Sequence, residues 1–149
     1  MVEFARFICR KGDLRPLPTD ACRWLDIPDD IALLSEYAAH CGHAPMTRSE
    51  CEQIARDGFT YAAVVQDGVI VSMAAWQRSA SAWELAAVST RTGHRRQGYG
   101  AAVCAFVTDE ILAKGRQATC TTRRDSVAMI ATARELGYAP LPEAPDSGS

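Results

Sequence analysis

The stretch Thr90-Arg91-Thr92-Gly93-His94-Arg95-Arg96-Gln97-Gly98-Tyr99-Gly100 holds the residues whose types and spacing most plainly do chemistry. Glycine has no Cβ, so a ligand can come up to its backbone N–H group. A helix N-terminus leaves four such groups unpaired and carries partial positive charge, and the two together make a phosphate site. Arg91, His94, Arg95 and Arg96 concentrate positive charge here, although the chain as a whole has a formal net charge of −2. The chemistry these residues suggest is the holding of a phosphate or pyrophosphate.

Three phosphate-loop patterns compete for the segment. Gly93 and Gly98 have the spacing of a P-loop, but Tyr99 occupies the position of the phosphate-binding lysine. The dinucleotide fingerprint requires a third glycine three residues after Gly100, where this chain has Val103. The third pattern is Arg-x-x-Gly-x-Gly, carried by Arg95, Gly98 and Gly100.

The flanks must place these residues. Trp83-Glu84-Leu85-Ala86-Ala87-Val88-Ser89 reads as a strand, within a segment 82–90, and from Ala101 to Lys114 the residues Val103, Phe106, Val107 and Ile111 recur at helical spacing. The glycines therefore sit in a strand-to-helix turn. Here the chain resembles the GCN5-related N-acetyltransferase (GNAT) superfamily, whose pyrophosphate loop for acetyl-CoA has the pattern Gln/Arg-x-x-Gly-x-Gly/Ala. A second similarity lies near the end. Many members have an Asn-capped helix followed by Gly-Phe, eleven and twelve residues after that Asn, and here Ser126, Gly137 and Tyr138 hold these positions. The resemblance covers roughly residues 60–138.

With 149 residues the chain suits one domain spanning 1–149, with a single core. Composition is that of an ordinary globular protein, and a net charge near neutrality gives no general attraction to nucleic acid or to anionic membrane. No run of about 20 apolar residues predicts a membrane span, and Met1–Arg6 does not read as a signal peptide. The six cysteines are scattered, so they read as reduced thiols of a cytoplasmic protein. His40-Cys41-Gly42-His43 groups three donors too tightly to close a tetrahedron, and no metal site is expected.

In chain order, residues 2–9 read as a strand and 10–28, with Gly12, Pro16, Pro18 and Pro28, as a loop. Asp29 and Asp30 open a helix that ends near Gly42, where two acids suit the helix dipole. Thr47-Arg48-Ser49-Glu50 has capping-box spacing for a second helix ending at Gly58. Residues 61–66 and 69–76 form a hairpin through Asp67-Gly68 in a type I′ turn. The strand 82–90, the helix 98–114 and a strand 117–122 follow, then a helix 125–136 and a tail 139–149 with room for one short strand. The resemblance implies an α/β fold with a mixed, mostly antiparallel sheet, helices on both faces, and a splayed parallel pair, here 82–90 with 117–122.

What the resemblance implies for function is acetyl-CoA-dependent transfer to a primary amine of a small molecule or an amino terminus, by direct attack in a ternary complex. It allows a homodimer. The backbone of Val88, Ser89 and Thr90 would pair with the pantetheine arm; Arg95 and Arg96 would bind phosphate; Gln97, Gly98, Tyr99, Gly100 and Ala101 would offer N–H groups to the pyrophosphate, and Ser126 caps the final helix. An alkylamine has a pKa of about 10, so roughly one molecule in a thousand is neutral at pH 7, and a base is needed. Glu84, fourteen residues before Gly98, is that candidate; on a regular strand Glu84, Ala86, Val88 and Thr90 share a face. The position where many members have an acidic tyrosine is Ala133, which leaves Tyr138 and Cys120 as substitutes and opens the alternative of an acyl-CoA-binding domain without catalysis.

Overall fold

A computed structural model describes residues 3–26, 29–78 and 82–141. Seven strands are present among them: β1 (Phe4–Cys9), β2 (Cys22–Trp24), β3 (Phe59–Gln66), β4 (Val69–Gln77), β5 (Trp83–Thr90), β6 (Ala118–Arg123) and β7 (Ala139–Leu141). Four helices accompany them: α1 (Ile31–His40), α2 (Arg48–Arg56), α3 (Tyr99–Ala113) and α4 (Val127–Leu136). The strands form one sheet in the order β2-β3-β4-β5-β6-β1-β7. Only β5 and β6 pair in parallel, so the expected mixed, mostly antiparallel α/β fold is what the chain adopts.

Local chemistry explains most boundaries. In the β3–β4 hairpin, Asp67 and Gly68 have φ of 51° and 78°, as a type I′ turn requires. Thr47 Oγ1 accepts the Glu50 N–H at 3.1 Å while Glu50 Oε1 accepts the Thr47 N–H at 3.2 Å, completing the capping box of α2. Asp30 stands at the N-cap of α1 but does not cap it. Its carboxylate instead accepts the Arg23 guanidinium at 3.0 and 3.1 Å and the Asp26 N–H at 2.6 Å.

The reading of 10–28 as a loop is corrected at β2, which pairs with Ala62–Val64. Trp24 explains it: its ring packs 5.0 Å from Trp76 and 4.9 Å from Phe106, burial that a loop tryptophan would forgo. The tail residues 142–149 lie outside the described residues.

Two apolar clusters lie on the two faces of the sheet. Val103, Val107 and Ile111 of α3, with Ala133 and Leu136 of α4, cover one face over Ala74, Trp76, Leu85 and Cys120. Leu34 and Tyr37 of α1 and Cys51 of α2 cover the other over Ala63 and Ile70. Each fully buried Val or Ile contributes about 1.5–3 kcal/mol, so α3, with three of them in register, is the main clamp on the sheet. Gly137, at φ 104°, ends α4, and the 10–21 segment packs there through the Arg15 N–H to the Leu136 carbonyl at 2.8 Å. No helix of the described residues is long and apolar enough to cross a membrane.

Candidate active site

Between β5 and α3 the chain turns through Gly93, Arg96 and Gly98, all at positive φ (94°, 64° and 82°). The His94 N–H bonds the Arg91 carbonyl at 3.0 Å and tightens the turn. The helix ladder begins with the Ala102 N–H on the Gly98 carbonyl at 3.0 Å. The N–H groups of Gly98, Tyr99, Gly100 and Ala101 therefore have no acceptor among the described residues, as expected of a first helical turn.

These residues edge a cleft of about 500 Å³ on the α3/α4 side of the sheet. Val88 and Thr90 form its floor; His94, Arg95 and Arg96 stand on the loop side; Ala128, Met129, Thr132 and Glu135 of α4 form the far wall. An ideal Cβ on Gly98 would meet no atom within 4 Å, whereas one on Gly100 would lie 3.2 Å from Thr90 Oγ1. That hydroxyl is itself 2.9 Å from Ser72 Oγ. Tyr99 is fixed by Gln66, whose Nε2 donates to the phenol oxygen at 2.6 Å. His94 Nδ1 is buried without a hydrogen-bond partner. Four free N–H groups and two exposed arginines against one carboxylate, Glu135, make a surface suited to a polyanion.

Of the residues expected to hold a cofactor, the cleft gathers Val88, Thr90, Arg95, Arg96, Gly98, Tyr99, Gly100 and Ala101. Three expected ones do not line it. The Ser89 side chain points to the opposite face, 2.7 Å from the Tyr37 hydroxyl, while its carbonyl accepts from Ser72 Oγ at 3.0 Å. Gln97 lies exposed on the outside of the turn. Ser126 holds the N-cap position of α4 with ψ 74° and makes no side-chain cap bond, and Ala128 and Met129 in the next turn reach the cleft instead. Arg91, counted with the loop's positive charge, is buried away from it. The α4 wall was missed; its signal was the helical spacing of 128, 132 and 135 on the segment following the parallel partner strand.

The shared face expected for Glu84, Ala86, Val88 and Thr90 is also corrected. Ala75 pairs with Ala86 but Met73 pairs with Ser89, so Ala87 and Val88 together stand opposite Ala74. Ala87 has φ 55°, a left-handed conformation in a residue with a Cβ, and marks a β-bulge. Past the bulge the facing is reversed: Leu85, Val88 and Thr90 look toward α3, and Glu84, Ala86 and Ser89 toward α1. Glu84 Oε1 accepts hydroxyls from Thr119 at 3.2 Å and Thr121 at 3.3 Å, both on β6. Strands β5 and β6 pair only from Trp83–Leu85 to Ala118–Cys120 and then part, which opens a gap in the sheet beyond Glu84.

Neither substitute proton donor faces the cleft. Tyr138 is 3 % exposed, its hydroxyl is 2.7 Å from Thr108 Oγ1, and burial raises its pKa well above the ordinary tyrosine value. Cys120 is core, and burial, with the Glu84 carboxylate adding, pushes its thiol up to about 12. Ala133 is wholly buried.

The model of the FR47-like protein family matches residues 52–143, and the chain belongs to that GNAT-related family. Among solved structures it is similar to an acetyltransferase assigned to the GNAT family from Novosphingobium aromaticivorans, at TM-score 0.74 and 18% identity over 93% of this chain and 59% of that one. A GCN5-related N-acetyltransferase from Kribbella flavida matches at TM-score 0.66 and 27% identity, over 91% and 53%. Aminoglycoside 6'-N-acetyltransferase complexed with coenzyme A matches at TM-score 0.53 and 16% identity, over 63% and 56%. The chain thus spans between half and three fifths of the length of these proteins. No curated protein sequence matches it.

Proposed function

We propose that the chain is an acyl-CoA-dependent N-acetyltransferase that uses acetyl-CoA and a primary amine, a small molecule or an amino terminus, in one ternary complex. The observation that carries this reading is the turn of unpaired N–H groups from Gly98 to Ala101, flanked by Arg95 and Arg96 at the edge of the cleft. Family membership supports it, as does the coenzyme A bound by one of the structurally similar proteins. Acetyl-CoA supplies the activated acyl group as a thioester. The first turn of α3 would hold its pyrophosphate, and the strand edge at Val88 would align its pantetheine arm as a peptide strand aligns.

The arm would then lead toward the gap between β5 and β6. Glu84 would take a proton from the amine arriving on the α1 side and leave it neutral to attack; the thioester, when bound, would supply the acyl carbon, and the departing thiolate would take up the second proton that nitrogen gives up on becoming an amide. The hydroxyls of Thr119 and Thr121 hold one carboxylate oxygen and leave Oε2 for that proton.

The buried, apolar Ala133 favours a second reading, an acyl-CoA-binding domain without catalysis. One experiment separates the two: thermal shift with CoA against ATP, followed by thioester consumption over a panel of amines. Stabilisation by CoA and not by ATP, with consumption, supports the enzyme. Stabilisation without consumption supports the binding domain. A larger shift with ATP removes both.

A further inference from the structure

Accepting the acyl-CoA reading, we infer that Arg91 is a positioning residue that, through Glu36, anchors the phosphate loop to α1 without itself meeting phosphate. Its side chain is 10% exposed. Nε donates to the Ile70 carbonyl at 2.8 Å; Nη1 donates to Glu36 Oε2 at 3.2 Å and Nη2 to Glu36 Oε1. The guanidinium also lies 5.5 Å from the centroid of the Tyr37 ring. The planar fork is thus turned inward onto a carboxylate, a carbonyl and an aromatic face.

The backbone of Arg91 is held as firmly. Its N–H bonds the Val71 carbonyl at 2.7 Å and its carbonyl accepts the His94 N–H at 3.0 Å. Arg91 is the last residue fixed to the sheet before Thr92–Gly98, nearly all of which is exposed. The contact between Tyr37 and Ser89, two residues earlier, gives α1 a second attachment to the same strand. Free N–H groups can converge on an anion only if the start of the turn does not wander, and such pre-organisation raises affinity by lowering the ordering cost of binding.

Direct contact and positioning predict opposite signs at Glu36. An arginine that reached phosphate would be released by Glu36→Gln, and CoA binding would hold or tighten. An anchoring arginine loses its direction, and CoA binding weakens. Glu36 is 45% exposed, so the exchange leaves the core intact. Lysine at 91 keeps the charge but cannot make the fork.

The experiment is calorimetric titration of CoA into wild type, Glu36→Gln, Arg91→Lys and the double variant, with melting curves and with kcat at saturating acetyl-CoA. We expect each single change to raise Kd about tenfold, the double change to add little to either alone, and kcat to stay within about twofold. Wild-type or tighter CoA binding by Glu36→Gln, or fully additive losses, would overturn the inference. Wild-type protein that does not bind CoA would overturn the acyl-CoA reading, and the inference with it.

Discussion

Glu84 and Val88 are four residues apart on one strand and face opposite sides of the sheet, because the bulge at Ala87 inserts one residue between them. A regular strand would have put the carboxylate in the cleft with the phosphate loop. The bulge instead places the proposed base and the proposed cofactor floor on either side of a sheet that opens between β5 and β6. A cofactor and an amine could therefore approach from different faces.

The first prediction concerns that carboxylate. Glu84→Gln should lower kcat at pH 7 by about 10²–10⁴-fold with CoA affinity unchanged. The gap to wild type should close as the pH rises toward the amine's own pKa, since more acceptor then arrives neutral. The measurement is kcat of both proteins from about pH 6.5 to 9.5. An equal fractional loss at every pH would mark Glu84 as structural, and an unchanged kcat at pH 7 would remove it from the mechanism.

The glycines of the turn should act on binding far more than on folding. Gly98 is at φ 82°, which costs an L-residue about 1–2 kcal/mol, and a Cβ at Gly100 crowds Thr90 Oγ1. Gly98→Val and Gly100→Val should abolish detectable CoA binding while circular dichroism stays native. Normal titration of CoA by Gly98→Val would refute the loop assignment.

Gly137 tests a different link, between local conformation and stability. A Cβ there would lie 2.0 Å from the Asp13 carbonyl oxygen, at a backbone φ of 104°. Gly137→Ala should destabilise by about 3 kcal/mol, a fall of roughly 6–12 °C in Tm. Because this contact is remote from the cleft, CoA affinity of the folded fraction should stay put. A shift below about 2 °C would mean that the 10–21 segment yields at little cost.

Alkali should expose the buried thiols. Folding raises the Cys120 pKa from near 9 to about 12, so above about pH 9 the unfolded chain loses a proton that the folded one keeps. Stability is then whole below about pH 9 and is lost as pH rises toward 12, by up to about 1.4 kcal/mol per pH unit for this thiol. Denaturant midpoints should fall over that window, and Cys120→Ala should make the decline shallower. An identical slope in the variant would show that other groups carry it.

Much of this was legible in the chain because it rests on short-range chemistry. The Asp67-Gly68 turn, the Thr47–Glu50 capping box and the glycine turn at 98–100 are each decided by a few neighbouring residues. What could not be read depends on partners distant in sequence. Arg91 looks like a loop cation until Glu36 and Ile70 are brought to it. The Ala87 bulge has no residue signature, since alanine does not advertise a positive φ. The α4 wall shows a helical spacing at 128, 132 and 135, but which side of α4 meets the loop is decided by how that helix packs.

The place of β1 has a consequence for how the molecule is made. Phe4–Cys9 is sandwiched between residues 118–123 and 139–141, so its partners are the last parts of the sheet to be synthesised. While β2 to β5 can zip together as neighbours, the first strand must wait with both edges bare. Closing so long a span costs loop-closure entropy before any contact rewards it, a burden that non-local pairing places on folding rate. Until it docks, the apolar Phe4, Phe7 and Ile8 of this strand stay uncovered beside unpaired backbone groups, the kind of bare edge that invites pairing with another chain.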